Sequence, residues 1–507
     1  MTIAVDPRAA GALASLARAD AVWRRERAER VALLHDGAAY FAAARAALCA
    51  ARRSILLIGW SFDPRTRLCP GGPQGEESLG DLLRRLKAER PDLAIRLLVW
   101  TMPWPLSAQS DMKPERVRAM LGPDIAYRVD ATLPYGACQH QKILVVDDAV
   151  AFCGGSDFEA NRWDTPAHRD RETRRRLPSG EPYPPRHDVM MLVDGPAARA
   201  LGDLARERWR AATGEALAPV AEAPGAHDPW PGAVAPDCAA ATVALARTVP
   251  AAPGRPEVRE CEALYLDQIR AARRTIYLEN QYFTAPLIAR ALAARLAEPD
   301  GPEIVVVVAA CSPNGFDRLT MDSARRGLIR WLERQDRYGR FRIRAPHTER
   351  GLPILVHSKV AIFDDRVLRV GSANLNNRSF GYDTECDLVL EAAPEDAAAR
   401  AAIAGLRDRL IAHHAACPEG AFAAAVRERG LCAALDDPGL APPRRLCTVV
   451  PSHRSLLARL VEAWHIGDPV GMGDAWRPWR RPRLLRRAAR ALPRLEAPGL
   501  RPDPREG

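Results

Sequence analysis

His140-Gln-Lys142-Ile-Leu-Val-Val-Asp147, followed after six residues by Gly154-Gly155-Ser156-Asp157, recurs 217 residues later as His357-Ser-Lys359-Val-Ala-Ile-Phe-Asp364 and, again after six residues, Gly371-Ser372-Ala373-Asn374. A second matched pair, Ala51-Arg-Arg-Ser-Ile-Leu and Ala272-Arg-Arg-Thr-Ile-Tyr, lies 221 residues apart. Two repeats with nearly one offset make the chain an internal duplication of units of roughly 200 residues. The apolar runs Ile143–Val146 and Val360–Phe363 have the character of strands covered on both faces. Side chains alternate along a strand, so His140 and Lys142 share one face, as do His357 and Lys359, while Asp147 and Asp364 point away and read as structural.

Working outward, Ser54–Trp60, a helical pattern at Leu79–Arg90 and Ala94–Trp100 suggest a βαβ unit. The pattern restarts with a helix at Glu262–Arg274, strands at Ile276–Tyr282 and Glu303–Ala310, and a helix at Arg325–Arg334. Residues 31–52 and Glu395–Ala415 read as helices. The expected fold is α/β, two duplicated units with mostly parallel sheets around one shared site. The boundaries are an N-terminal extension 1–30, a first unit 31–213, an alanine- and proline-rich linker 214–256, a second unit 257–441 and a Pro/Arg-rich tail 442–507 with a helix at Leu484–Leu492. Taking Asp387 as the counterpart of Asp188, the first unit carries an 18-residue excess around Arg169–Pro185 that holds five arginines between 169 and 176. A solvated turn and an anion contact are equally good readings of that loop.

Composition narrows the functional classes. The formal charge is +10, but Arg477–Arg494 holds eight arginines and no acid, so the body is close to balanced and no nucleic-acid partner is expected. Trp476 and Trp479 begin that tail, which reads as disordered rather than as a membrane-surface segment. Eleven cysteines with no C-x-x-C pair argue against a disulfide framework and a zinc site. The longest apolar run, Ile304–Cys311, is too short to span a bilayer, and the N-terminus lacks the order of a signal peptide. A monomer is expected, cytoplasmic or peripheral to the membrane, with secretion by a non-classical route as the alternative.

Only four lysines accompany 69 arginines, and Lys142 and Lys359 are two of them. Keeping a compact ammonium two residues after each histidine suits a phosphoryl oxygen. Gly155 and Ser372 are small enough to let backbone approach a ligand beside Asp157 and Asn374. His187 reads as a packing residue, and no role attaches to His413 or His414.

These residues resemble the phospholipase D superfamily, whose HxKxxxxD signature occurs twice per site, over residues 31–415. Gly154-Gly155-Ser-Asp157 with Arg162-Trp163-Asp164-Thr165, Ile276–Tyr282 and Gly371–Ser379 are similar to the bacterial phospholipase D branch. The resemblance implies two α/β units packed face to face, a phosphohistidine on one histidine and acid–base work by the other, with His140 the expected nucleophile. It also implies Glu385 and Asp188 as orienting acids, phosphoryl contacts from Lys142, Lys359 and Asn374, a phospholipid substrate at a membrane surface, and no metal or other cofactor. Free imidazoles titrate near about 6.5, so neighbours must hold the pair in a one-proton form. Hydrolysis to phosphatidate and a head-group alcohol leads. A cardiolipin-synthase-like transferase, a nuclease and a binding protein with a decayed site are the alternatives.

Overall fold

The computed structural model describes residues 21–72, 77–101, 111–221, 227–442, 445–449 and 467–475. Among the described residues, all but two of the strands form one 16-stranded sheet whose order is nearly a palindrome. From one edge it runs Ala126–Asp130, Ala94–Trp100, Ser54–Gly59, Ile143–Val146, Val150–Gly154, Val189–Asp194 and Arg24–His35. It then continues through Cys238–Val249, Glu385–Glu391, Val367–Gly371, Lys359–Phe363, Thr275–Asn280, Glu303–Val308, Phe341–Pro346 and Leu446–Thr448, with Val258–Arg259 beside Cys238–Val249. The duplication is thus written into the topology, with its centre where Arg24–His35 pairs with Cys238–Val249.

The α/β class holds, but the sheet is mixed rather than mostly parallel. Within this sheet the parallel pairs are Ser54–Gly59, Ala94–Trp100 and Ala126–Asp130 in one half and Thr275–Asn280, Glu303–Val308 and Phe341–Pro346 in the other, joined by helices such as Leu79–Glu89 and Pro286–Leu296. Each motif strand turns back through a three-residue hairpin, Asp147–Ala149 or Asp364–Arg366, and a hairpin can only make an antiparallel neighbour. Asp147 and Asp364 take positive φ there, 55° and 56°, a conformation aspartate tolerates.

Three expectations shift. The stretch 31–52 stays extended to His35 before the helix Asp36–Ala50, because Val31–Leu34 are buried and pair with Met190–Val193. The stretch assigned to the linker, 214–256, contains Cys238–Val249, a strand at the seam of the sheet. The stretch assigned to the tail supplies the edge strand Leu446–Thr448 and a buried Asp468, which accepts from Arg378 N (2.9 Å), Asn377 Nδ2 (3.2 Å) and Thr284 Oγ1 (3.0 Å). The expected helix at Leu484–Leu492 lies outside the described residues.

One apolar core is shared by both units: Met191, Leu201 and Leu204 of the first pack in the same cluster as Leu388, Leu406 and Leu410 of the second. Two further cores lie one in each unit. The eleven cysteines are free thiols. No described helix is long and apolar enough to cross a membrane.

Candidate active site

The two motif histidines sit where each unit crosses to the other. Both precede their strands, which start at Ile143 and Lys359. His140 N donates to Thr384 O (3.1 Å), and His357 N donates to His187 O (2.8 Å). Leu355–Val356 pairs with Arg186–His187 in a small parallel sheet, and Gln139 bridges Thr384 in the matching way. The register places Glu385, two residues before Asp387, as the counterpart of Asp188. Asp387 is instead paired to the buried Arg369 (2.6 Å).

Each imidazole is held by a carboxylate of the opposite unit. His140 Nδ1 meets Glu385 Oε2 at 2.9 Å, and His357 Nδ1 meets Asp188 Oδ2 at 2.9 Å. With Nδ1 engaged, Nε2 is the nitrogen left to react on both rings. Ser372 Oγ donates to Glu385 Oε2 (2.5 Å) and fixes that carboxylate. At the equivalent place in the first unit stands Gly155, where an added Cβ would lie 2.1 Å from Asp188 Oδ1.

The lysines lie beside the rings and differ in their partners. Lys142 Nζ pairs with Asp157 Oδ2 at 3.0 Å, while Lys359 Nζ reaches the amide oxygen of Gln281 at 3.3 Å. Each ammonium also donates to the carbonyl of its own histidine, at 3.1 Å and 2.5 Å. Asp157 is therefore the counter-charge of Lys142, with Oδ1 also accepting from Trp60 N (2.8 Å), rather than a ligand contact of its own. Asn374 keeps a buried Oδ1 with no hydrogen-bond partner.

The site is short of negative charge. Burial pushes both histidines well below their ordinary pKa, and Lys142 and Lys359 push the same way on both rings, which places the two motifs in one field. Burial likewise pushes Lys359 down and Glu385 well up. An arriving anion would favour the charged forms of His140, His357 and Lys359, and would keep Glu385 further from its charged form.

Asp147 and Asp364 take no part in this site. Asp147 accepts from Arg52 N, Arg53 N and Ser54 N at 2.7–2.8 Å, and Asp364 does the same for Arg273 N, Arg274 N and Thr275 N at 2.7–3.2 Å. The motif aspartates thus cap the two Ala-Arg-Arg turns, which explains why those turns are the second repeated feature. Asp147→Asn should cost about 1–3 kcal/mol of stability and leave the turnover of folded protein near wild type. Denaturant midpoints with per-molecule activity check this, and a stable but inactive variant would return Asp147 to the chemistry.

Several residues were not singled out by the sequence. Arg186 is 7% exposed, and among the described residues no carboxylate lies within ion-pair distance of its guanidinium. Burial lowers its pKa to about 9, and it and Arg162 add to the positive field on His357. Of the loop arginines, Arg175 is pinned to Asp164 (3.0 Å), Arg174 to Glu172 (2.8 Å) and Arg176 to the carbonyl of Gly180 (2.6 Å), so these three hold the loop together. Away from the motif histidines, two groups of largely buried side chains among the described residues have the spacing of metal ligands. Asp36, His168, His187 and His413 converge, as do His187, Glu279 and His414, because residues scattered in the sequence meet at the seam between the units.

Comparison with known proteins follows this geometry. The family described as "Cardiolipin synthase, PLD-like domain" matches residues 265–404. A phospholipase D alpha 2 of Oryza sativa subsp. japonica is 26% identical over 478 residues, covering 67% of this chain and 58% of that protein. A cardiolipin synthase A of Pseudomonas putida is 25% identical over 259 residues, covering 49% of this chain and 43% of that one. The chain thus spans less than two-thirds of the length of these curated relatives. Among solved structures, the phosphatidylserine synthase of Haemophilus influenzae superposes with a TM-score of 0.51 at 16% identity, covering 74% of this chain and 85% of that one, a likeness of fold.

Proposed function

We propose that this chain, which belongs to the phospholipase D superfamily, transfers the phosphatidyl group of a glycerophospholipid through a covalent histidine intermediate, with water as the leading acceptor. The observation that carries the reading is the pair of imidazoles, each fixed through Nδ1 by the other unit's carboxylate. His140 Nε2 attacks phosphorus while His357 Nε2–H gives its proton to the departing head-group oxygen. Water then gives a proton back to His357 as its oxygen displaces His140, releasing phosphatidate. Lys142, Lys359 and Asn374 receive the phosphoryl oxygens as charge builds on them.

A cavity of about 710 Å³ beside Asp157 supports a lipid-like substrate. Trp60, Phe62, Val99, Trp100 and Tyr127 give it an apolar part, and Asp63, Arg65, Asp111, Lys113 and Glu159 line it as well. A second reading, transfer to the alcohol of another lipid, is favoured by the family matched over residues 265–404. Incubation with phosphatidylcholine, phosphatidylglycerol and single-stranded DNA separates the cases. Phosphatidate from either lipid is the expected product, and cardiolipin from phosphatidylglycerol establishes the second reading. Oligonucleotide cleavage with both lipids untouched would sink both.

The direction of the histidine shifts gives a pH signature. Lowered pKa values keep both rings neutral at neutral pH in the free enzyme, so the productive one-proton form grows as pH falls. The alkaline limb of kcat/KM should therefore fall below about 6.5. A bound phosphodiester anion raises both rings, so the limb of kcat should lie at higher pH. Coincident limbs in the two profiles would contradict this electrostatic account.

A further inference from the structure

We propose that Asp36 Oδ2, His168 Nε2 and His413 Nε2 form a binding site for a zinc-type divalent ion at the seam of the two units. The two Nε2 atoms are 3.1 Å apart, and each lies 3.7 Å from Asp36 Oδ2. Ligand atoms at 2.0–2.1 Å from a tetrahedral zinc ion are separated by about 3.3–3.4 Å, so three corners of that tetrahedron are already in place. Two imidazoles and one carboxylate are a donor set that suits zinc better than magnesium or calcium.

A second observation points to a ligand rather than to a closed hydrogen-bond network. One N–H shared between the facing rings would satisfy His168 and His413, yet Asp36 is 1% exposed and its Oδ2 has no hydrogen-bond partner. A buried carboxylate oxygen without a donor is costly unless a cation fills the space. The neighbouring group does not share this feature. Glu279 Oε2 is taken by His187 and Ser358, and Oε1 by Tyr277 and His414.

The groups behind the ligands are arranged as metal ligands require. His168 Nδ1 meets Asp164 Oδ2 at 2.9 Å, and Arg175 and the backbone of Arg186 hold that carboxylate. Asp36 Oδ1 is held by His187 Nδ1 at 2.8 Å. Such partners fix tautomer and orientation before the ion arrives. The side chain of His413 is 10% exposed, the most open of the three ligands. Asp36 and His168 belong to the first unit and His413 to the helix Ala397–Ala415 of the second, so the ion would fasten the two halves together.

The test uses the untagged full chain, stripped with a chelator and then titrated with Zn²⁺ or Co²⁺. One ion per chain is expected, with a tetrahedral Co²⁺ absorption band and a thermal midpoint raised by roughly 3 °C at saturation. His413→Gln and His168→Gln should each weaken binding by about 10–100-fold or more, while His227→Gln, which faces Asp147 beyond the opposite end of the helix Asp36–Ala50, should leave it unchanged. Circular dichroism of the stripped variants shows whether they fold. No stoichiometric ion at micromolar Zn²⁺ on the wild-type chain, or binding that survives the double variant His168→Gln with His413→Gln, would overturn the proposal.

Discussion

His140→Asn and His357→Asn each lower kcat/KM on a natural phospholipid by about 10³-fold or more, with folding intact. Each ring supplies a different half of one proton cycle, and each amide side chain keeps polarity while losing both nucleophile and acid. The two variants separate on a substrate whose leaving group needs no proton. There His357→Asn still forms the covalent intermediate and releases a burst of leaving group, whereas His140→Asn does not. Circular dichroism beside stopped-flow kinetics distinguishes this from unfolding. Near wild-type turnover in either variant would end the shared-site account.

The next largest effects come from the carboxylates that cross between the units. Glu385→Gln and Asp188→Asn should lower kcat by about 10²–10³-fold with a smaller change in KM. An amide at either place offers His Nδ1 a competing donor and so disturbs the tautomer that aims Nε2 at phosphorus. Gly155→Ala should reproduce the Asp188 effect without touching any ionisable group, because its Cβ would meet Asp188 Oδ1 at 2.1 Å and His357 O at 2.8 Å. Gly155→Ala activity equal to wild type would show that Asp188 is free to move, and that His357 does not depend on it.

What was legible in the sequence was what is local. The repeated His-x-Lys spacing placed both motif strands, and the pairing of Glu385 with His140 and of Asp188 with His357 fits the orienting role the resemblance implied for those two acids. Strand direction was not legible, since Ile143–Val146 reads the same in a parallel or an antiparallel sheet until the hairpin at Asp147–Ala149 is seen. Cys238–Val249 was hidden by alanines, which carry little strand signal, and it was made a strand by its neighbours. The caps made by Asp147 and Asp364, the ion pair of Lys142 with Asp157, and the meeting of His168 with His413 all join distant residues. No spacing rule reaches them, because only the folded seam between the units creates the contact.

The central claim is a covalent phosphatidyl-histidine formed within one site by two motifs. It is tested most directly by a rapid alkaline quench of His357→Asn protein mixed with an activated phosphatidyl ester, followed by peptide mapping in a mass spectrometer. The account predicts the adduct on the peptide containing His140, absent from His140→Asn protein treated in the same way. An adduct on neither histidine peptide, while leaving group is still released in a burst, would contradict it.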